Sequence, residues 1–153
     1  MQGQIHNLSD AQYRLLGGVV ATIFETIDEE KLRLLKAAVL NVANSDYMSA
    51  FEAQMLSRIL RDISAAEVRF LAKYQERPWI SFADPNQHGV GPFYTVESPQ
   101  PLFLSPDSSE ASVAIGLLNL GLLVRSTARG LLSDNGAHVM SPLVPSLLAL
   151  LAE

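Results

Sequence analysis

The chain of 153 residues is 48% hydrophobic and 18% charged, which indicates a globular protein rather than a disordered one. Its formal net charge of −5 argues against general nucleic-acid binding, because such affinity comes mostly from Lys and Arg that displace counterions. The absence of cysteine excludes disulfides, thiolate metal sites and cysteine nucleophiles.

The first 18 residues have neither the basic start nor the continuous apolar segment of a signal peptide. The longest apolar run, Val113–Val124, is shorter than the roughly 20 residues that span a bilayer. These features predict a cytoplasmic protein that does not contact a membrane.

Four helices are predicted before Pro78, the first proline of the chain. The first begins at Ser9, which forms a capping-box pattern with Gln12, and the second begins near Asp28. The fourth begins at Ser64, where Glu67 completes another capping box. The apolar residues assigned to one buried face of the first helix are Leu15, Leu16, Val19, Val20, Ile23, Phe24 and Ile27. Those assigned to the third are Met48, Phe51, Met55, Ile59 and Ile63.

Residues 77–106 form a proline-rich insertion of unusual length for a compact domain. Two short strands are predicted within it, at Trp79–Phe82 and Phe93–Val96. Its aromatic residues indicate that it packs against the rest of the chain rather than extending into solvent.

Regular structure is predicted again from Asp107. A largely buried helix covers Asp107–Leu120, and the segments Leu122–Thr127 and Ala137–Met140 are predicted to form a β-ribbon. Ser141 caps a last helix, with Pro142 at its first position, and this helix ends at Leu151.

The segment Leu118–Val124, followed by Met140-Ser141-Pro142-Leu143, resembles the closing half of prokaryotic winged-helix domains. In that family a helix ends in a Leu-Gly-Leu pattern, a β-ribbon follows, and a Thr-Pro-Leu-Gly phrase opens the last helix. Residues 60–150 also resemble the Abi-alpha type of uncharacterised bacterial abortive-infection proteins. The resemblance implies a degenerate winged-helix-like module and a role in phage defence or in a prophage. Val144 stands where the winged-helix pattern has glycine.

Few residues are candidates for chemistry or for contact with a polar ligand. Arg69, Lys73, Arg125 and Arg129 are candidate contacts for nucleic acid or an acidic partner. Asp84 and His88 are an acid and an imidazole four residues apart within the proline-rich insertion, so they form a candidate loop site. An Asp-Pro-Asn turn explains the same residues without chemistry. The sequence contains no catalytic, cofactor-binding or metal-binding motif.

The sequence therefore predicts a mainly α fold in which an N-terminal helical part packs on a degenerate winged-helix-like module with a small β-ribbon. The helical packing and oligomerisation part covers residues 1–63, and the module covers residues 64–153 with its insertion at 77–106. We expect a non-enzymatic interaction protein that has no cofactor and binds a protein partner or a second copy of itself. The alternative is a DNA-binding transcriptional regulator that dimerises through its N-terminal helices. A third hypothesis is an enzyme centred on Asp84 and His88.

Overall fold

The computed structural model describes residues 8–44, 48–82, 101–126 and 137–152. These residues are mainly helical, with a small sheet, as predicted. The helices are α1 (Asp10–Glu25), α2 (Glu29–Asn44), α3 (Ala50–Asp62), α4 (Ala65–Tyr74), α5 (Ser109–Asn119) and α6 (Leu143–Leu151). The strands are β1 (Ile80–Ser81), β2 (Leu102–Phe103), β3 (Leu123–Arg125) and β4 (His138–Met140).

The chain divides into two compact units. Unit 1 comprises residues 1–68 and 145–153, and unit 2 comprises residues 69–144. Most of α6 therefore belongs to the same unit as the first three helices. The predicted division into residues 1–63 and 64–153 stays a prediction.

Unit 1 is built on helices whose starts follow the predicted capping chemistry. The Ser9 capping box is present, since the Gln12 amide donates to Ser9 Oγ over 3.2 Å and the Ser9 amide donates to Gln12 Oε1 over 2.9 Å. Ser64 and Glu67 form the second predicted capping box. Each satisfies backbone donors that a helix start would otherwise leave without a partner.

The core of unit 1 contains one buried stripe from each of its helices. The fully buried large side chains of this core are Leu15, Val19, Leu35, Val42, Leu56, Leu60 and Leu147. Asn41 on α2 fixes the end of α6, because its Nδ2 donates to the carbonyl oxygens of Leu150 at 3.0 Å and Ala152 at 2.8 Å. The Ser146 hydroxyl also donates to Glu52 Oε1 on α3 over 3.0 Å. Helix α6 is therefore held to α2 at its end and to α3 in its first half by side-chain hydrogen bonds as well as by apolar burial.

The helices α1 and α3 approach closely at Gly18. A Cβ atom placed on Gly18 would collide with Ser57 Oγ and lie 3.2 Å from Ser57 Cβ. The adjacent Gly17 faces open space, with nothing within 4 Å of a Cβ atom. Of the two glycines, Gly18 is required by packing, and Gly17 is not required by anything within unit 1.

Unit 2 contains the four-stranded sheet, in the order β2-β1-β4-β3. The predicted ribbon is confirmed as the antiparallel pair β3 and β4, with Val124 opposite Val139. Strand β1 lies within the predicted Trp79–Phe82 segment and pairs with β2, which the sequence did not predict. The predicted strand Phe93–Val96 lies outside the described residues.

A glycine-terminated turn connects α5 to β3. Gly121 adopts a φ of 71°, the Leu122 amide donates to the Leu117 carbonyl over 2.9 Å, and the Gly121 amide donates to the Leu118 carbonyl over 3.0 Å. This is the Schellman arrangement, which favours glycine at the left-handed position. Helix α5 is less buried than predicted: Ala111, Ala114 and Leu117 are buried, whereas Ile115 is half exposed.

We expect Gly18→Val to lower the free energy of unfolding by about 1–3 kcal/mol, because the new side chain must displace Ser57. The matched variant Gly17→Val places the same side chain in open space within the chain, so at a protein concentration at which the chain is monomeric it should change stability by less than about 0.5 kcal/mol. Urea unfolding followed by circular dichroism measures both values. Equal losses at the two positions would contradict the close approach of α1 and α3.

Candidate functional site

The surface of α1 carries an apolar stripe opposite the face that it buries. Tyr13, Val20 and Phe24 lie along this stripe with exposed fractions of 65%, 38% and 86%. Ile27, just beyond the end of the helix, is 99% exposed. Because 3.6 residues complete each turn, Gly17 lies on the same stripe between Tyr13 and Val20. We call Tyr13, Gly17, Val20, Phe24 and Ile27 the α1 stripe.

The α1 stripe corrects the prediction of a single buried face on the first helix. Leu15 and Val19 are fully buried, as predicted, whereas Val20, Phe24 and Ile27 are exposed. Apolar residues occur on α1 in adjacent pairs, and neighbouring residues on a helix point about 100° apart. One member of each pair can face the core, and the other is directed away from it.

The neighbouring helix α3 also exposes an apolar residue. Phe51, assigned to the core from the sequence, is 71% exposed. Two adjoining grooves of about 530 Å³ each lie between α1 and α3. Phe51, Gln54 and Ser57 line both grooves. The sequence signal that could have located this surface is the pairing of apolar residues on α1, which exceeds what one buried stripe requires.

Charged side chains of both signs border the apolar surface. Arg14 lines the first groove, and Glu25 lines the second together with Arg58 and Arg61. Arg61 is paired with its neighbour Asp62, at 3.0 Å between Nε and Oδ1, and this hydrogen bond lowers the pKa of the Asp62 carboxyl. Arg14 and Glu25 make no ion pair with any residue in the described ranges. Glu25 is attracted by Arg61, which lines the same groove, but neither Arg14 nor Glu25 is committed to an ion pair, so both can contact a binding partner.

A lysine from α2 stabilises the end of α3 beside these grooves. The Lys31 ammonium donates to the carbonyl oxygen of Arg61 over 2.6 Å, in the last turn of α3. A cation at this position interacts favourably with the negative end of the helix dipole. Burial lowers the pKa of Lys31, against the opposing effects of Asp62, Glu67 and Asp28. We assign Lys31 to the support of α3 rather than to ligand binding.

The basic residues that the sequence suggests as contacts for nucleic acid or an acidic partner belong to unit 2, whereas the α1 stripe belongs to unit 1. Arg69 and Lys73 both lie on α4, and both are exposed. The Lys73 ammonium is 3.0 Å from Glu110 Oε1 and lies 4.6 Å from the centroid of the Tyr74 ring. Arg125 is exposed on β3. Lys73 is therefore already engaged by a carboxylate, which reduces its suitability for a phosphate.

The remaining candidates from the sequence are one arginine and the acid–imidazole pair. Arg129, Asp84 and His88 lie outside the described residues. In the described ranges, no three His, Asp or Glu side chains are grouped as ligands for a metal ion. The part of the chain that the structure describes also contains no helix with the length and apolar character needed to cross a membrane.

No protein-family model, curated protein or solved structure matches the chain. The resemblance to winged-helix and Abi-alpha proteins stays a prediction. The exposed apolar face of α1 and α3 is the candidate site that the geometry favours, because it brings together aromatic side chains, a groove and charges of both signs.

A pH-dependent prediction arises from the Glu110 cluster of unit 2. The Tyr74 hydroxyl donates to Glu110 Oε1 over 2.8 Å, and this bond, followed by that from Lys73, lowers the pKa of Glu110 from its ordinary 4.5. A lowered folded-state pKa contributes stability at pH values above the unfolded-state pKa, and the contribution is lost as the pH falls through the folded-state pKa.

Tyr74→Phe is therefore expected to raise the pKa of Glu110 toward 4.5. The variant should then lose less stability than the wild-type chain when the pH falls below 4.5. The lost hydrogen bond should also lower the free energy of unfolding at neutral pH by about 1 kcal/mol. Carbon-13 NMR titration of the Glu110 carboxyl measures the pKa. The control Tyr13→Phe removes an exposed hydroxyl from unit 1, and the Glu110 titration should not change.

Proposed function

We propose that this chain is a non-enzymatic protein–protein interaction module. Its binding surface is the α1 stripe together with the two grooves between α1 and α3. One observation carries the proposal: Phe24 and Ile27 are 86% and 99% exposed, and Phe24 lies on the side of α1 opposite its buried face. Single exposed apolar residues are common, but clustered ones mark interaction sites.

The composition of the surface supports a protein partner. Interfaces are enriched in aromatic residues and arginine, and their apolar centre is bordered by a polar rim. Tyr13, Phe24 and Phe51 provide aromatic area, while Arg14 and Glu25 are charged residues at its border. An aromatic anchor such as Phe24 is the type of side chain that dominates binding energy in interfaces.

The rigidity of the surface supports the same proposal. The Ser9 capping box fixes the start of α1, and the contact of Gly18 with Ser57 fixes α1 against α3. A surface that is already ordered before binding loses less conformational entropy on association. Helices α1 and α3 therefore present these side chains in a preorganised arrangement.

The transcriptional-regulator hypothesis has weaker support. Lys73 is paired with Glu110, and the net charge is −5. Non-specific DNA affinity requires basic side chains that displace counterions from phosphates. The remaining basic candidates with a described position are Arg69 and Arg125, which do not by themselves form a basic surface.

Photo-cross-linking tests the proposal directly. We expect a photoreactive phenylalanine analogue at Phe24 to give discrete covalent adducts when the full chain is irradiated in its native cells. The same analogue at Leu40, a 56% exposed residue on α2, is the matched control. Adducts that form equally at both positions, or at neither, would overturn the proposal.

A further inference from the structure

We infer that the occupant of the α1 stripe is a second copy of the same chain, with the two α1 helices antiparallel about a two-fold axis beside Val20. This inference deepens the proposed function and rests on it. The inference depends on charges and shapes that match each other about the middle of α1. A surface that binds an unrelated protein does not need this symmetry.

Two opposite charges on α1 would complement each other between two antiparallel copies of the helix. Arg14 and Glu25 lie near opposite ends of α1, and each lines one of the two grooves. In an antiparallel pair centred between these two residues, Arg14 of each copy faces Glu25 of the other. Two identical ion pairs then form across the axis, as an isologous interface requires. In a parallel pair, like charges would meet instead.

The shape of the stripe follows the same symmetry. Gly17 leaves an open gap on the helix surface, with nothing within 4 Å of a Cβ atom, while Phe24 projects from it with 86% exposure. The midpoint between Gly17 and Phe24 falls beside Val20, so the Phe24 ring of one copy meets the Gly17 gap of the other. The charge pairing is centred between residues 19 and 20 and the shape pairing between residues 20 and 21, so the two registers have centres one residue apart, on either side of Val20.

The amount of apolar surface is appropriate for a dimer. Burying an aromatic residue removes roughly 150–250 Å² from water. Tyr13 and Phe24 from two copies would supply on the order of 600 Å² of the roughly 1,200–2,000 Å² buried by a specific interface. Val20, Ile27 and, on α3, Phe51 add to this area. Antiparallel helices also oppose their dipoles favourably.

Charge reversal tests the register by sedimentation equilibrium of the full chain. Arg14→Glu and Glu25→Arg each convert two attractive contacts into two repulsive ones, so each should weaken dimerisation at least about tenfold at low salt. The double variant Arg14→Glu/Glu25→Arg should restore dimerisation to near the wild-type level. Mixing the two single variants should also produce a heterodimer. At about 1 M salt, where the Debye length is roughly 3 Å, the differences should largely disappear.

Gly17→Gln tests the shape independently of charge. The substitution improves helix propensity, yet it fills the gap that receives Phe24, so dimerisation should weaken at least about tenfold while the melting temperature of the monomer does not fall.

A wild-type chain that stays monomeric overturns the inference, as does dimerisation that is insensitive to both charge reversal and Gly17→Gln. The photo-cross-linking experiment separates these failures from failure of the proposed function. An adduct of Phe24 with a different protein would retain the interaction module and exclude the second copy.

Discussion

The contact between Gly18 on α1 and Ser57 on α3 determines which residues of unit 1 reach the surface. A Cβ atom at position 18 would collide with Ser57 Oγ and lie 3.2 Å from Ser57 Cβ, so glycine is what allows α3 to lie this close to this side of α1 with Ser57 in place. With that side occupied, and with Leu15 and Val19 in the core, α1 has only its outer side left for Val20 and Phe24. The exposed stripe is thus a consequence of close packing, since a helix has a limited circumference and α1 has more apolar residues than one buried side can hold.

Electrostatics distinguishes the two units. Around α4 and α5 the charges are satisfied locally, because Glu110 accepts hydrogen bonds from both Lys73 and Tyr74. On α1, Arg14 and Glu25 form no ion pair in the described part of the chain, although Glu25 is attracted by Arg61. Exposed ion pairs contribute little to stability. They contribute more to the choice of partner and register, because mismatched charges repel. The charge distribution therefore favours recognition at α1 over recognition at α4.

Much of the fold could be predicted from local sequence signals, whereas for the candidate site the sequence indicates an excess of apolar residues on α1 but not which of them are exposed. The capping pairs at Ser9 and Ser64 mark helix starts because their hydrogen bonds are made within four residues. Strand β2 was missed because a strand of two residues carries no periodicity. The exposure of Phe24 and Phe51 was missed because hydrophobicity alone does not say whether a side chain faces the core or a binding surface. That distinction depends on tertiary packing, here on the small residue Gly18.

The return of α6 to unit 1 has a consequence for how the chain acquires its structure. Residues 69–144 are interposed in the sequence between the first helices and the helix that Asn41 holds. During synthesis, α1, α2 and α3 leave the ribosome long before Leu147 and Leu150 can cover their share of the core. Contacts so distant in sequence carry a large loop-closure entropy and form late. The nascent three-helix segment therefore exposes core residues for an interval, and such transiently exposed apolar surface is prone to aggregation.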